Sequence, residues 1–366
     1  MIERLKRVPL PFRIAAATVG FILAFVGTAL YADMQVRDES GLSVTSEKAS
    51  EIQFSDRFVD AILKWDSGHY TYIVENGYNE LETAFFPLYP LLVSGIKTIG
   101  FSTPAALLTV SWLFAIAASI VLFYWIRFEL RERKVKLSPW ITLGLVAIFP
   151  TSFFLVTGYT ESLFFFLVVS ALYAYRSKHY VLAGIFAGLS TATRVPGGAL
   201  AIFFLADYLL ARRWSDRKKL IPVIMAPLGL IAYMIFLWHT FGNPFQFIEA
   251  QHDWGRLNGN PIQNLISSFT PVYLWFLPVL VAGMWLIYRY LGLSWLIYSL
   301  VFIAIPLASG RLDSLNRYML ALPPLFLAFT LYSQTAPKWL KLIFLASSAF
   351  LLAWGVILFT NGYWVA

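Results

Sequence analysis

Residues 104–126 read PAALLTVSWLFAIAASIVLFYWI, a run of 23 residues without a single charge. A bilayer core about 30 Å thick is crossed by roughly 20 apolar residues in helical form, so this run is long enough to span it. Directly after it, residues 127–136 hold five basic and two acidic residues. Because Lys and Arg accumulate on the cytoplasmic side of membrane helices, we expect the run to end there.

The composition of the whole chain also indicates a membrane protein. Of its 366 residues, 59% are hydrophobic and only 13% are charged, whereas soluble domains carry roughly 25% charged residues. A compact soluble fold of this length cannot bury 32 Phe and 13 Trp together with so many aliphatic side chains. The absence of cysteine excludes disulfides, thiolate metal sites and Cys nucleophiles. Basic cytoplasmic loops explain the net charge of +8, so nucleic acid is not a predicted partner.

Ten further apolar runs predict an all-α, polytopic transmembrane bundle of about eleven spans, in a single domain over residues 1–366. The first run, residues 14–31, is predicted to be a retained helix rather than a signal peptide, because no small-residue cleavage site follows it. Residues 85–99 contain two prolines and are predicted to be interfacial or re-entrant, because a full span would move the basic stretch outside. The remaining runs lie at 139–157, 162–175, 180–193, 196–211, 220–241, 272–288, 290–308, 318–333 and 342–360.

The unusual polar residues collect on one predicted face. Residues 33–83 hold eleven acidic and four basic residues, which indicates a long first non-cytoplasmic loop, 33–100, with short interfacial helices. Charged residues at membrane depth are costly, so their collection on one face predicts a single site at the outer boundary. The residues on this face or at helix ends opening to it are Asp66, His69, Glu161, Arg194, His252, Asp253, Arg256, Arg311, Asp313 and Arg317.

Asp66 stands in the stretch KWDSGHY, between Trp65 and Ser67. A carboxylate at the rim of a low-dielectric site can accept a proton from a sugar hydroxyl. Asp is also a favoured N-cap, so the alternative is that Asp66 caps a short helix through Tyr72. The dense aromatic residues around it are typical of an interfacial belt.

Glu161 and Arg194 are the next two candidates. Glu161 follows a polar turn and stands near a helix N-terminus, where negative charge is favoured. Arg194 lies between two short apolar runs, so it must pair with an acid or bind an anion, and Glu161 is the candidate partner. Gly197 and Gly198 would let a phosphate approach the backbone N–H groups of a helix start.

Two further regions on the same face carry arginine. Arg311 and Arg317, six residues apart, match a phosphate clamp because the guanidinium fork fits phosphate oxygens. A local pair of Arg311 with Asp313 beside an anionic headgroup is the alternative. His252 and Arg256 lie in another outer loop, and no second His stands at metal-ligand spacing from His252, so no metal site is predicted.

Taken in order, these groups resemble the PIG-V family of lipid-linked glycosyltransferases, the GPI mannosyltransferase II type. The strongest part of the resemblance is Trp65-Asp66, followed by Gly77-Tyr78 and the stretch AFFPLYP at residues 84–90. Weaker support comes from residues 159–162, the Arg194 segment, Phe245 to Arg256, and Arg317-Tyr318 with Pro323-Pro324.

The resemblance implies a GT-C type fold with its site at the outer membrane face. It also implies a polyprenyl-phosphate sugar donor, typically dolichol-phosphate-mannose, a lipid-linked or glycan acceptor, and an acidic base in the first outer loop, here Asp66. The predicted donor-phosphate ligands are Arg194, Arg311 and Arg317, and the predicted substrate contacts are Trp65, His69, Glu161, His252 and Arg256. No cofactor and no metal is expected, and the chain has no Gly-rich nucleotide-binding fingerprint.

The short loops favour a prokaryotic relative in the plasma membrane, in contact with membrane lipids, whose acceptor need not be a GPI lipid. A eukaryotic member would lie in the endoplasmic reticulum membrane. The alternative function is a non-catalytic carrier or flippase for lipid-linked oligosaccharides, which needs polar residues on a path to the cytoplasmic leaflet. The predicted spans hold little charge beyond their outer ends, with Asp207 near a cytoplasmic end, which favours an enzyme. A scaffold for another transferase is a third alternative.

Overall fold

The regular structure of the protein is helical. The computed structural model describes residues 8–36, 56–211, 216–253, 263, 266–308, 312 and 314–365, and no strand occurs in these ranges. The α-helices are α1 (Leu10–Val36), α2 (Asp56–Ile62), α3 (Asp66–Asn76), α4 (Leu88–Lys97), α5 (Thr103–Glu132), α6 (Trp140–Ala147), α7 (Glu161–Arg176), α8 (Tyr180–Thr191), α9 (Ala199–Leu210), α10 (Ile221–Met225), α11 (Leu228–Phe241), α12 (Gln246–Asp253), α13 (Tyr273–Leu291), α14 (Leu293–Leu307), α15 (Leu315–Leu320), α16 (Pro323–Tyr332) and α17 (Lys338–Thr360). Short 3-10 helices occur at Leu81–Ala84, Ser152–Leu155, Val195–Gly198 and Arg217–Leu220.

Five helical segments in the described residues are long and apolar enough to cross a membrane. They are Leu10–Asp33, Thr103–Glu132, Arg217–Phe241, Tyr273–Leu291 and Lys338–Thr360. Five shorter apolar segments, including α4, α8 and α16, have 10–17 residues. The predicted all-α transmembrane bundle is thereby confirmed. The count of about eleven spans and the single-domain assignment stay predictions, because the short helices establish neither the number of membrane crossings nor the number of domains.

Helix α7 forms the centre of the bundle. Thirteen of its 16 residues are buried, and α5 and α8 pack along its length. A helix that is apolar all round is stable only when other helices cover every face. Its first residue, Glu161, is therefore carried into the interior, where it has no exposed surface.

Prolines divide three of the predicted apolar runs into shorter helices. Proline lacks an N–H group and its ring collides with the preceding turn. The breaks fall near Pro150 after α6, at Pro227 between α10 and α11, and at Pro323 between α15 and α16. At the last break, Arg317 stays on a six-residue helix of its own, separate from the apolar helix that follows.

Helices α8 and α11 approach each other closely beside the break at Pro227. The Thr191 hydroxyl donates to the carbonyl of Ala226 at 2.7 Å and accepts from the N–H of Leu230 at 3.2 Å. A Cβ on Gly229 would lie 2.8 Å from the Thr191 hydroxyl oxygen and would also collide with the carbonyl oxygen of Gly188. This contact therefore requires glycine at position 229.

We expect Gly229→Ala to lower the free energy of unfolding by about 1–3 kcal/mol, the usual cost of overpacking a close contact. Gly20→Ala is the matched control, because a Cβ at the exposed Gly20 on α1 meets nothing within 4 Å. Thermal unfolding of the two purified variants in the same detergent measures the difference. Equal melting temperatures for both would contradict the packing described here.

Candidate active site

Four charged side chains from distant parts of the chain meet in one network. Glu161 Oε1 accepts hydrogen bonds from Arg194 Nη1 at 2.6 Å and from Arg317 Nε and Nη2 at 2.8 and 2.5 Å. Arg317 Nη2 also donates to Asp66 Oδ2 at 2.8 Å, across 251 positions of sequence. We call Asp66, Glu161, Arg194 and Arg317 the charge network. The predicted pairing of Arg194 with Glu161 is present.

Burial within the charge network is graded. The Glu161 side chain has no exposed surface and that of Arg317 is 3% exposed, whereas those of Arg194 and Asp66 are 15% and 17% exposed. Buried ions are tolerated only when partners neutralise them, and here two acids face two arginines. Asp66 and Arg194 are therefore the two members that a bound molecule can reach.

Aromatic rings hold both guanidinium groups. The Arg317 guanidinium carbon lies 4.8 Å from the ring centres of Phe154 and Tyr159, and that of Arg194 lies 4.9 Å from the ring centre of Tyr318. Such cation–π contacts stabilise arginine where water is excluded. Sequence analysis named Tyr159 and Tyr318 only as parts of the family resemblance and did not name Phe154, because the positions of these rings beside arginine depend on contacts across the bundle.

Asp66 is the first residue of α3 and does not cap it. The N-cap position belongs to Trp65, which has the unusual φ of 53°, and no side-chain cap hydrogen bond is made. The Asp66 carboxylate turns to Arg317 instead, so the alternative of an N-cap role is wrong. The Trp65 ring packs edge-on against Trp364, with ring centres 5.3 Å apart. A left-handed backbone is costly for tryptophan, so the surroundings must hold it in place.

The stretch before α7 holds the backbone around Trp65 in place. Tyr159 donates from its hydroxyl to the carbonyl of Lys64 at 2.9 Å, directly before Trp65. At Gly158 a Cβ would lie 3.2 Å from the Ser67 hydroxyl and would collide with Leu63. Gly158 and Tyr159 thereby fix the position of the backbone that carries Asp66.

The charge of Asp66 is set by two opposing effects. Burial raises the pKa of the Asp66 carboxyl, but the Arg317 guanidinium, through its charge and its hydrogen bond, and the charge of Arg194 lower it further. The net effect is a pKa below the usual value for aspartate. Asp66 is therefore ionised at neutral pH and can accept hydrogen bonds from hydroxyl groups.

A second acid–base pair lies one helical turn after Asp66. His69 Nδ1 is 3.2 Å from Glu82 Oε1, and the imidazole stacks on Phe85 with ring centres 4.7 Å apart. The Glu82 side chain is only 7% exposed and that of His69 is 30% exposed. Sequence analysis singled out His69 but not Glu82, which resembles the other acids of the first outer loop.

The other predicted site residues lie apart from this centre or outside the described residues. His252 is exposed on α12, which packs against the 3-10 helix that carries Glu82, so it is not a member of the charge network. Arg256 and Arg311 lie outside the described residues, as does Asp313. Within the described residues no group of three or more His, Asp or Glu side chains is arranged to hold a metal ion. The expectation of a metal-free reaction stays a prediction.

An apolar groove of about 720 Å³ lies between α3, α4, α8 and α11. Its lining residue Ala192 is two residues from Arg194, and its lining residue Ile73 lies on the helix that begins with Asp66. Two lining residues of the groove are therefore close in sequence to the two more exposed members of the charge network. Its lining also includes Leu88, Leu91, Leu189, Leu228, Ala232 and Phe236.

A family model described as mannosyltransferase (PIG-V) matches residues 14–245. The chain belongs to the PIG-V mannosyltransferase family. The match covers well over half of the chain, and it includes Asp66, Glu161 and Arg194 but ends before Arg317. The resemblance inferred from sequence motifs is thus confirmed.

Curated relatives carry the same family's names. The chain is 30% identical over 214 residues to GPI alpha-1,6-mannosyltransferase 2 of Mus musculus, covering 50% of this chain and 43% of that protein. It is 29% identical over 165 residues to the protein of the same name from Cricetulus griseus, covering 41% of this chain and 33% of the relative. The chain thus spans less than half the length of these relatives.

Among solved structures, the apo oligosaccharyltransferase of Archaeoglobus fulgidus is similar, with a TM-score of 0.48 and 16% sequence identity. The superposition covers 93% of this chain and 56% of that one.

We expect Glu161→Gln to destabilise the protein by about 3–5 kcal/mol, because two buried arginines would lose the carboxylate that neutralises them. Glu75→Gln is the control, because Glu75 pairs with Lys97 near the surface, where such pairs contribute about 0–1 kcal/mol. Thermal unfolding in detergent compares the two. A melting temperature for Glu161→Gln as high as that of the control would show that the buried carboxylate is dispensable.

Proposed function

We propose that this chain is an inverting glycosyltransferase of GT-C type, with its site on the non-cytoplasmic face. It would move mannose from a polyprenyl-phosphate donor to a hydroxyl of a lipid-linked or glycan acceptor. Family membership supports mannosyl transfer, and the names of the relatives support a glycolipid acceptor. The observation that carries the proposal is a partly exposed, ionised carboxylate, Asp66, in one network with two arginines.

Asp66 is the proposed base. Its Oδ2 is bound to Arg317, and no hydrogen bond to Oδ1 occurs within the part of the chain that the structure describes. Oδ1 would accept the proton of the acceptor hydroxyl as the acceptor oxygen bonds to the anomeric carbon of mannose. The bond from that carbon to the phosphate oxygen breaks at the same time, and polyprenyl phosphate leaves with the electron pair.

The two arginines have different proposed roles. Arg194 uses Nη1 for Glu161 and is 15% exposed, so it is the one that the departing phosphate can reach. Arg317 was expected to bind phosphate too, but at 3% exposure it already binds two carboxylates. We assign it instead to holding Asp66 ionised and in place. Positive charge aimed at the leaving group stabilises the transition state, where one such partner contributes about 10²–10³ in rate.

The apolar groove is the proposed place for the prenyl chain of the donor. Its wall is mostly aliphatic and aromatic, and its lining residue Ala192 is two residues from Arg194, the proposed phosphate ligand. In the proposed arrangement the prenyl chain lies in the groove, the phosphate at Arg194 and the sugar at Asp66.

The carrier alternative requires a polar path through the bundle, whereas the predicted spans hold little charge beyond their outer ends, with Asp207 near a cytoplasmic end. Asp207 accepts hydrogen bonds from Tyr175 at 2.8 Å and from Lys219 at 2.9 Å. These contacts tie α9 to α7 and to the segment that enters α10. A structural role for Asp207 therefore favours the enzyme over the carrier.

We expect Asp66→Asn to lower the turnover number by about 10²–10⁴, the usual contribution of a general base. The assay uses the protein in proteoliposomes with dolichyl-phosphate-mannose as donor and octyl α-mannoside or a total membrane lipid extract as acceptor. Asp60→Asn is the control, because Asp60 lies nearby and pairs with Lys64 at 3.1 Å on α2 and the following loop. A folded Asp66→Asn protein with turnover close to wild type would eliminate Asp66 as the base.

Ala232→Trp tests the groove. Ala232 is exposed on α11 and lines the groove, so tryptophan would narrow it. We expect kcat/KM for dolichyl-phosphate-mannose to fall by about tenfold or more relative to that for citronellyl-phosphate-mannose, whose chain is short, because lost apolar contacts penalise only the long chain. Ala349→Trp, at an exposed position of α17 away from the groove, is the control. An unchanged ratio would mean that the chain binds elsewhere.

A further inference from the structure

His69 is held more firmly than a surface histidine needs to be. Its Nδ1 contacts the buried carboxylate of Glu82, and its ring face rests on Phe85 at an interplanar angle of 15°. The side chain nevertheless keeps 30% of its surface exposed. A carboxylate on one ring nitrogen fixes the tautomer, orients the ring and leaves the other nitrogen as a proton acceptor.

The loop that carries Glu82 is itself fixed from several sides. The Asn79 side-chain oxygen accepts from the backbone N–H groups of Leu81 and Glu82 at 2.9 and 3.1 Å. Tyr233 donates from α11 to the carbonyl of Thr83 at 2.8 Å, and Tyr78 donates to the carbonyl of Phe85 at 2.8 Å. Glu82 therefore approaches His69 from a rigid support, as a group that orients a catalytic imidazole must.

The charge network creates a need for a second proton acceptor. Arg317 keeps Asp66 in its ionised form, so a proton taken from an acceptor hydroxyl is held weakly there. His69 lies at position i+3 from Asp66 on α3, and such residues are neighbours on one helix face. An imidazole is a stronger base than a carboxylate that an arginine holds ionised.

We propose that His69, oriented by Glu82, takes from Asp66 the proton that leaves the acceptor hydroxyl and releases it to water. This step rests on the proposed function. The Asp66 oxygen that bears the proton loses it to His69 Nε2, which restores the carboxylate and its bond to Arg317. The imidazolium is neutralised by Glu82 and returns to imidazole when the proton passes to solvent.

The charged groups around His69 favour this path. Glu82 contacts the ring, Asp66 precedes it on α3, Arg317 binds Asp66, and the charge of Arg194 also acts on Asp66. The neighbouring Tyr70 stays neutral, because burial raises the pKa of its phenol. On the helix packed against the Glu82 loop, α12, the titratable residues are Glu249, His252 and Asp253, and Glu249 accepts from Asn243 at 2.7 Å.

His69→Asn is the decisive variant. The Asn amide keeps an N–H donor near the position of Nδ1 for Glu82, but it cannot accept a proton. In the proteoliposome assay with dolichyl-phosphate-mannose and octyl α-mannoside, His69→Asn should reduce turnover by about 10²-fold. His239→Asn, an exposed histidine on α11, is the control and should keep the wild-type rate.

His69→Ala separates chemistry from packing. Added imidazole should restore turnover, whereas pyrazole, which has the same shape but is a much weaker base, should not. Equal rescue by both compounds, or a His69→Asn protein with the wild-type rate, would overturn the role of His69 and leave the proposed function intact. A folded wild-type protein that transfers no mannose to octyl α-mannoside or to the lipid extract would overturn the proposed function and the relay with it.

Discussion

A carboxylate without exposed surface, Glu161, is bound by two arginines, and the arrangement of the charged residues depends on this interaction. Removing a single ion from water costs several kcal/mol, which only close opposite charges can offset. Glu161 begins the buried helix α7, so the segment after α8 that carries Arg194 and the short helix α15 that carries Arg317 must converge at this point. Asp66 then neutralises the second positive charge. The partly exposed carboxylate at the site therefore follows from the electrostatics of a buried helix end.

The opposite end of α7 is also held by a buried carboxylate that pairs with two arginines. Arg176, in its last turn, donates from Nε to Glu129 Oε1 at 2.7 Å, and Arg133 also pairs with this fully buried carboxylate. An acid in the first turn and a base in the last turn both match the dipole of the helix. The two ends differ in what surrounds them. Glu129 binds arginines near the predicted cytoplasmic surface, whereas one of the arginines that Glu161 binds also binds Asp66, directly after the strained backbone of Trp65.

The parts of the fold predicted from sequence are those that depend on local pattern. The apolar runs predicted the helices. The need to neutralise a charge at membrane depth predicted the pair of Arg194 and Glu161. The bond between Asp66 and Arg317 could not be predicted from the sequence, because the two residues are 251 positions apart. It also depends on the helix break at Pro323, which leaves Arg317 on a short helix of its own. Glu82 looked like any acid of a polar loop, since only its burial against His69 distinguishes it. Local patterns thus identified the charged candidates, while their pairing across the bundle required the three-dimensional structure.

The division between the two arginines follows from hydrogen-bond capacity. A guanidinium that already serves Glu161 through Nε and Nη2, and Asp66 through Nη2, keeps only Nη1 for a phosphate. The Arg317 side chain is also only 3% exposed. Arg194 gives one bond to Glu161 and is 15% exposed. If both arginines bound the leaving phosphate, Glu161 would lose its neutralising partners whenever the donor arrived. Under the proposed function, keeping Arg317 for the two carboxylates would let the site bind and release an anion without disturbing the buried charge of Glu161.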